Sequence, residues 1–254
     1  MQLFITAAPN EMQQAAAYGR PLAHMAYRIG EDSTLLRQNL LLQTRGGLLG
    51  ISDRNAPTVK DPVALSQAVL RECGRRSYTG VLLDFESIGR PDLSAFANHL
   101  SQALLPSRRT LFVPEAYAGN NRIVLINTAI SGGTFIECLR EAGARYGGPS
   151  QIALDLQRLQ MDFTLPSHSG EGRPLSNEDF QSLVKQWSPA TFFSQELCAQ
   201  YFTYSVEDVA HFVLFDNTGS MRQKIRIGTG LGFAAAFFQW PEITDLAPSL
   251  FGRA

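Results

Sequence analysis

The stretch "GVLLDFES", residues 80–87, ends an apolar run with two acids spaced two residues apart. Side chains of a strand alternate faces, so Leu82, Asp84 and Glu86 share one face, and the two carboxylates stand roughly 7 Å apart along it. Two readings are open at this point. Acids at strand ends in α/β proteins often cap the next helix or meet solvent. Two acids at this separation also suit a shared chemical task.

The runs on either side set the architecture. Apolar, β-branched or aromatic segments recur at 3–8, 22–29, 47–52, 80–86, 110–116, 122–130, 152–163 and 232–240, with helical or turn-rich spacers between them. That is the pattern of parallel strands joined by crossovers. Eight such strands predict an α/β protein, a closed (β/α)8 TIM barrel, and a chain of 254 residues suits one such domain. Helices are expected at 61–73, opened by an Asp and a Pro, at 92–105, and at 133–147, which ends in glycine. Between 167 and 217 the rhythm breaks into a turn-rich segment, a helix "SNEDFQSLVKQW" and an alternating, hairpin-like stretch. The connection is too long for a plain barrel, so a single domain over 1–254 is expected, with an inserted α+β lobe at about 167–217 walling one side of a cleft. In that barrel "GVLLDFE" is the fourth strand, and its acids emerge at the C-terminal rim, where barrel active sites sit.

Composition narrows the partners. Apolar residues at 44% and charged residues at 18% describe an ordinary globular chain. A net charge of −1 lacks the basic excess that holding a phosphate backbone requires, so no nucleic acid is expected. Cys73, Cys138 and Cys198 are far apart and outside any CxxC spacing, which points to neither a disulfide framework nor a zinc site. His24, His99, His168 and His211 form no HxxxH or HxH cluster. No metal or cofactor is expected. The opening "MQLFITAAPNEM" lacks a basic region followed by a signal-length apolar segment, and no apolar run approaches about 18 residues, so no membrane is expected and the compartment stays open.

With the fourth strand placed, the sequence resembles the family 18 glycoside hydrolases, whose fourth strand carries a DxxDxDxE signature. Thr79 and Leu82 stand where its first two acids would be, Asp84 takes the third and Glu86 the catalytic Glu. The segment 201–243 resembles the closing part of the spore-germination, cortex-lytic branch, with Tyr204, His211, Phe215, Asp216, Ser220, Lys224 and Trp240 as counterparts in order. Three features depart from the family pattern: Thr79 and Leu82 each replace an acid, and the sixth strand offers Asn127 and Thr128 where the family carries an MxYD motif.

The resemblance implies retaining hydrolysis of a β-linked N-acetylhexosaminide by substrate assistance. Glu86 would protonate the glycosidic oxygen while the substrate's acetamido oxygen attacks the anomeric carbon. Asp84 would orient the acetamido N–H and stabilise the positive charge that develops. Trp240, ending the last strand, is a candidate floor for the sugar ring, or else a core aromatic. Tyr27, Glu115, Tyr117 and Asn127 sit near other strand ends and are candidates to line the groove. The expected partner is an amino-sugar polymer, peptidoglycan of the spore-cortex kind first and chitin-like chains second, bound by a monomer. A catalytically silent carbohydrate-binding protein on the same scaffold is the alternative, and a structural spore or envelope protein is a third.

Overall fold

Runs that are apolar on both faces need cover on both sides, and a sheet closed on itself with helices wrapped around it supplies that cover. In the computed structural model, which describes residues 1–38, 45–166 and 171–252, eight parallel strands form the closed sheet. They are β1 (Gln2–Ala7), β2 (Leu22–Gly30), β3 (Leu48–Ser52), β4 (Gly80–Asp84), β5 (Thr110–Pro114), β6 (Ile123–Asn127), β7 (Ile152–Leu156) and β8 (Ala235–Gln239). Phe4 on β1 registers with Phe237 on β8, and Ile5 with Leu22 on β2, which closes the ring. The (β/α)8 barrel expected from the sequence is the fold observed.

Strand alternation divides the core in two. Phe4, Ala23, Leu48, Leu82, Phe112, Ala153, Ala235 and Phe237 point inward and form a separate buried cluster. The Phe4 and Phe237 rings stack at 5.0 Å with 12° between planes, and Phe112 meets Phe237 edge-on at 4.9 Å. This aromatic plug fills the barrel, so a site can form only at its mouths. The outward residues, among them Val81, Leu83, Leu154 and Phe238, pack in the larger cluster beneath the helices.

The helices have local causes. A single turn, α1 (Met12–Ala16), follows β1. In α2 (Pro62–Arg76) the Asp61 carboxylate accepts the Ala64 N–H at 2.8 Å, Pro62 fixes the first turn, and the left-handed Ser77 ends it at φ 58°. α3 (Pro91–Leu104) follows β4, and α4 (Phe135–Arg145) follows β6. Two units depart from the repeat. Among the described residues the β2–β3 connection holds a short antiparallel strand, Thr34–Arg37, and the β5–β6 connection holds only the turn Glu115–Tyr117.

The run read as one strand over 152–163 is two. β7 ends at Leu156, and Gln160–Leu165 belongs to a second, antiparallel sheet. Asp216 causes the break, because its carboxylate accepts the Leu159 N–H at 3.1 Å while its own N–H donates to the Leu159 carbonyl at 2.7 Å. Buried Leu156 and Leu159 flank a turn of only two residues, Gln157 and Arg158, too short to interrupt the apolar run. The second sheet orders its strands 173–174, 160–165, 209–215, 199–206 and 192–194, so it begins ahead of residue 167. α5 (Asn177–Trp187), capped by Ser176, lays Phe180 against Phe202 and Phe215 on one face of that sheet. α6 (Thr218–Leu231) returns the chain to β8, and the short α7 (Trp240–Ile243) and α8 (Ala247–Phe251) follow. Residues 167–170, His168 among them, lie outside the described residues.

Candidate active site

At the C-terminal mouth above the plug lies a cavity of about 290 Å³, lined by the strand ends and floored by Leu82, Leu125 and Phe237. β4 delivers Asp84 and, two residues on, Glu86. Between them Phe85 turns the other way into the core, 5% exposed, with its ring edge-on to Tyr117 at 5.2 Å. The segment after β4 is held from two further sides. Asp53, just past β3, accepts the Glu86 N–H with Oδ1 and the Ser87 N–H with Oδ2, both at 3.0 Å. Tyr117 Oη donates to the Ser87 carbonyl at 2.5 Å.

Four carboxylates line the cavity, those of Asp84, Glu86, Glu115 and Asp155, and its described lining holds no cationic side chain. Asp84 is exposed at the mouth, while protein surrounds the strand end that carries it. That enclosure pushes its carboxyl up to about 6, and the negative charges of Asp155, Glu86 and Asp53 add to the rise. Asp155, one residue before the end of β7, is also pushed up to about 6 by burial, against the opposing pull of hydrogen bonds from Gln157 and Gln239.

The structure brings together four of the seven residues singled out by sequence: Asp84, Glu86, Glu115 and Asn127. Glu115 accepts a hydrogen bond from Tyr146 Oη at 2.9 Å, and Asn127 donates to Gln157 Oε1 at 2.9 Å. The other three lie elsewhere. Trp240, expected as a sugar floor, is 3% exposed and packs on Tyr18 at 5.5 Å in the cluster beneath the helices. Alternation along β8 explains it: Phe237 and Gln239 face the barrel axis, so Trp240 faces away. Tyr27, expected in the groove, is 1% exposed on the outer side of β2, where its hydroxyl donates to Glu72 at 2.9 Å. Tyr117 does not line the cavity either; its ring packs on Phe85 and its hydroxyl holds the Ser87 carbonyl behind the cavity wall.

Sequence reading missed Asp53, Asp155, Gln157, Gln239 and Thr6. Asp53 carries the signal that revealed Asp84, an acid at the end of an apolar strand, whereas Asp155 sits inside a run that reads as one strand. The amides and Thr6 carry none that a single sequence displays.

No protein-family model matches the chain, and no curated sequence does. Its fold has clear counterparts among solved structures. The Bacillus cereus spore cortex-lytic enzyme SleL is 18% identical with a TM-score of 0.68, over 98% of this chain and 74% of that one. A chitinase from Chromobacterium violaceum is 15% identical with a TM-score of 0.66, over 98% of each chain. A class V chitinase mutant from Cycas revoluta, solved in complex with (GlcNAc)3, is 12% identical with a TM-score of 0.66, over 99% of each. The chain is thus a closed (β/α)8 barrel with the fold of these cortex-lytic and chitinase structures.

Proposed function

We propose that the protein is a glycoside hydrolase that cleaves β-linked N-acetylhexosaminide polymers, of peptidoglycan or chitin-like type, by retaining, substrate-assisted hydrolysis. The observation that carries this reading is the delivery of Asp84 and Glu86 from one strand into one cavity, with the Glu86 backbone fixed by Asp53. Glu86, protonated, donates its proton to the glycosidic oxygen as the bond from that oxygen to the anomeric carbon breaks. The acetamido carbonyl oxygen attacks the same carbon and forms a cyclic oxazolinium ion. Asp84, ionised, accepts the acetamido N–H and offsets the positive charge. The Glu86 carboxylate then takes a proton from water, whose oxygen opens the ring and restores the configuration. The ligand supplies the nucleophile, so the scheme needs neither metal nor cofactor, and one chain provides every group.

A second reading, a silent glycan-binding protein, draws on the placement of Trp240 outside the cavity and on Leu82 in the inward layer. Mass spectrometry of muropeptides and chitooligosaccharides after incubation with wild type and Glu86→Gln separates the two. Cleavage by wild type alone supports hydrolysis through Glu86. Cleavage by both forms rejects the role of Glu86, and binding without cleavage favours the second reading.

A further inference from the structure

The half of the cavity mouth facing β4 carries a hydrogen-bonded belt that the scheme above does not use. Asp155 is its only ionisable member. Gln157 Nε2 donates to Asp155 Oδ2 at 2.8 Å, and Gln239 Nε2 donates to Oδ1 at 3.4 Å. The two amides are held in turn, Gln157 by Asn127 Nδ2 at 2.9 Å and Gln239 by the Thr6 hydroxyl. The belt therefore runs from β1 through β8 and β7 to β6 and fixes one carboxylate on the wall of the cavity that Asp84 and Glu86 also line.

Two carboxylates that line one cavity without a cation between them ionise one at the expense of the other. After burial, the charge of Asp155 is the largest influence on Asp84, ahead of Glu86 on the same strand end and Asp53 past β3. Glu115 lines the cavity from the end of β5. On the other side, Glu242 of α7 acts on Asp155, while Arg158 is engaged by Asp245 at 2.7 Å and by the Glu242 carbonyl at 3.0 Å.

We propose that Asp155 is a positioning residue that acts through Asp84: clamped by Gln157 and Gln239, its carboxylate sets the pH at which Asp84 becomes the anion the reaction uses. The catalytic consequence rests on the hydrolytic reading above, and the coupling itself does not.

The test is a pH titration of ¹³C-labelled aspartate carboxyls by NMR in wild type, Asp155→Asn and Asp155→Glu. In Asp155→Asn the Asp84 midpoint falls by about half a unit or more, because a neighbouring negative charge is gone. In wild type the Asp84 curve carries a second inflection at the Asp155 midpoint. Asp155→Glu keeps the charge and holds the Asp84 midpoint near wild type. An Asp84 midpoint unmoved by Asp155→Asn, or moved equally by both substitutions, overturns the coupling. The acid limb of kcat/KM on chitooligosaccharides then moves with the NMR midpoint. A limb that stays put while the midpoint moves overturns the positioning role, whereas a moved midpoint in a protein that cleaves nothing upholds the coupling and rejects the hydrolytic reading instead.

Discussion

Asp53 accepts the backbone N–H of Glu86 at 3.0 Å, and with its second oxygen that of Ser87 at 3.0 Å, from a position 3% exposed to solvent. A buried carboxylate is costly unless donors satisfy it, and here two backbone donors from the neighbouring strand end do so. The same bonds fix where the chain leaves β4 and hence where Glu86 stands. Asp53→Ala is expected to cost about 1–3 kcal/mol of stability through the unpaired N–H groups. It is also expected to lower kcat about a hundredfold, the scale of a small misplacement of a reacting group. Asp53→Asn keeps one acceptor and should fall between. Thermal melts and turnover of both variants check this, and full turnover by Asp53→Ala would show that Glu86 needs no clamp.

Trp240 and Gln239 are adjacent and face opposite sides of the barrel wall. Trp240→Ala is therefore expected to cost about 3–5 kcal/mol of stability, as large-to-small changes in a core do, while leaving oligosaccharide affinity unchanged. Gln239→Ala should do the reverse. Urea denaturation and calorimetric binding on the two variants check the pair; a loss of affinity confined to Trp240→Ala would return the indole to the ligand.

The barrel was legible because eight apolar runs separated by crossovers leave few other arrangements, and Asp84 and Glu86 were legible because they close one of those runs. Parity was not. Whether Gln239 or Trp240 faces the axis depends on a one-residue register, which only the packing of Phe237 against Phe4 decides. Tyr27 was misplaced for the same reason, since its outward position on β2 is invisible until the ring closes. Asp155 was hidden differently: "IALDLQRLQMDF" reads as one strand, so its fourth residue does not look like a strand end. Asp53 follows "GIS" at the end of β3 and was open to the rule that found Asp84.

Lys224 and Asp216 form an ion pair at 2.7 Å with both residues 1% exposed. Lys224 Nζ also donates to the Thr128 carbonyl at 3.0 Å, and Ser220 Oγ to Asp216 at 2.7 Å. The cluster joins the end of β6, the exit of the second sheet and α6. Removing one partner strands the other charge, so Lys224→Met is expected to cost about 3–5 kcal/mol, and pairing it with Asp216→Asn should recover part of that loss. Denaturant midpoints of both single variants and the double variant form the cycle; strictly additive losses would mean that the pair is not coupled.

Stability should change with pH in a way that reports Asp155 together with its hold on Asp84. Its carboxyl, like that of Asp84, is pushed up to about 6 in the fold, against about 3.9 in the unfolded chain. A raised acid favours the folded state fully below the unfolded value, and that advantage is lost as pH climbs through about 6. His24 works the other way. Its burial lowers it to about 4, aided by the charge of Arg76 and opposed by its hydrogen bond to the Gly46 carbonyl. Its contribution is present above the ordinary histidine value and lost as pH falls through about 4. The two slopes oppose each other across that window, so the stability of the wild type is flatter there than either group alone would make it. Asp155→Asn removes one acid slope, makes that of Asp84 shallower and leaves His24 untouched. Relative to wild type, the variant should gain about 1–2 kcal/mol between about pH 4 and about pH 7.5, after allowance for the open cavity mouth. Any fixed cost of replacing a carboxylate beside two amides appears equally at both ends and cancels. Urea unfolding of the two proteins at those pH values measures the change, and a wild-type-to-variant difference that stays constant would show that Asp155 ionises as freely in the barrel as in the unfolded chain.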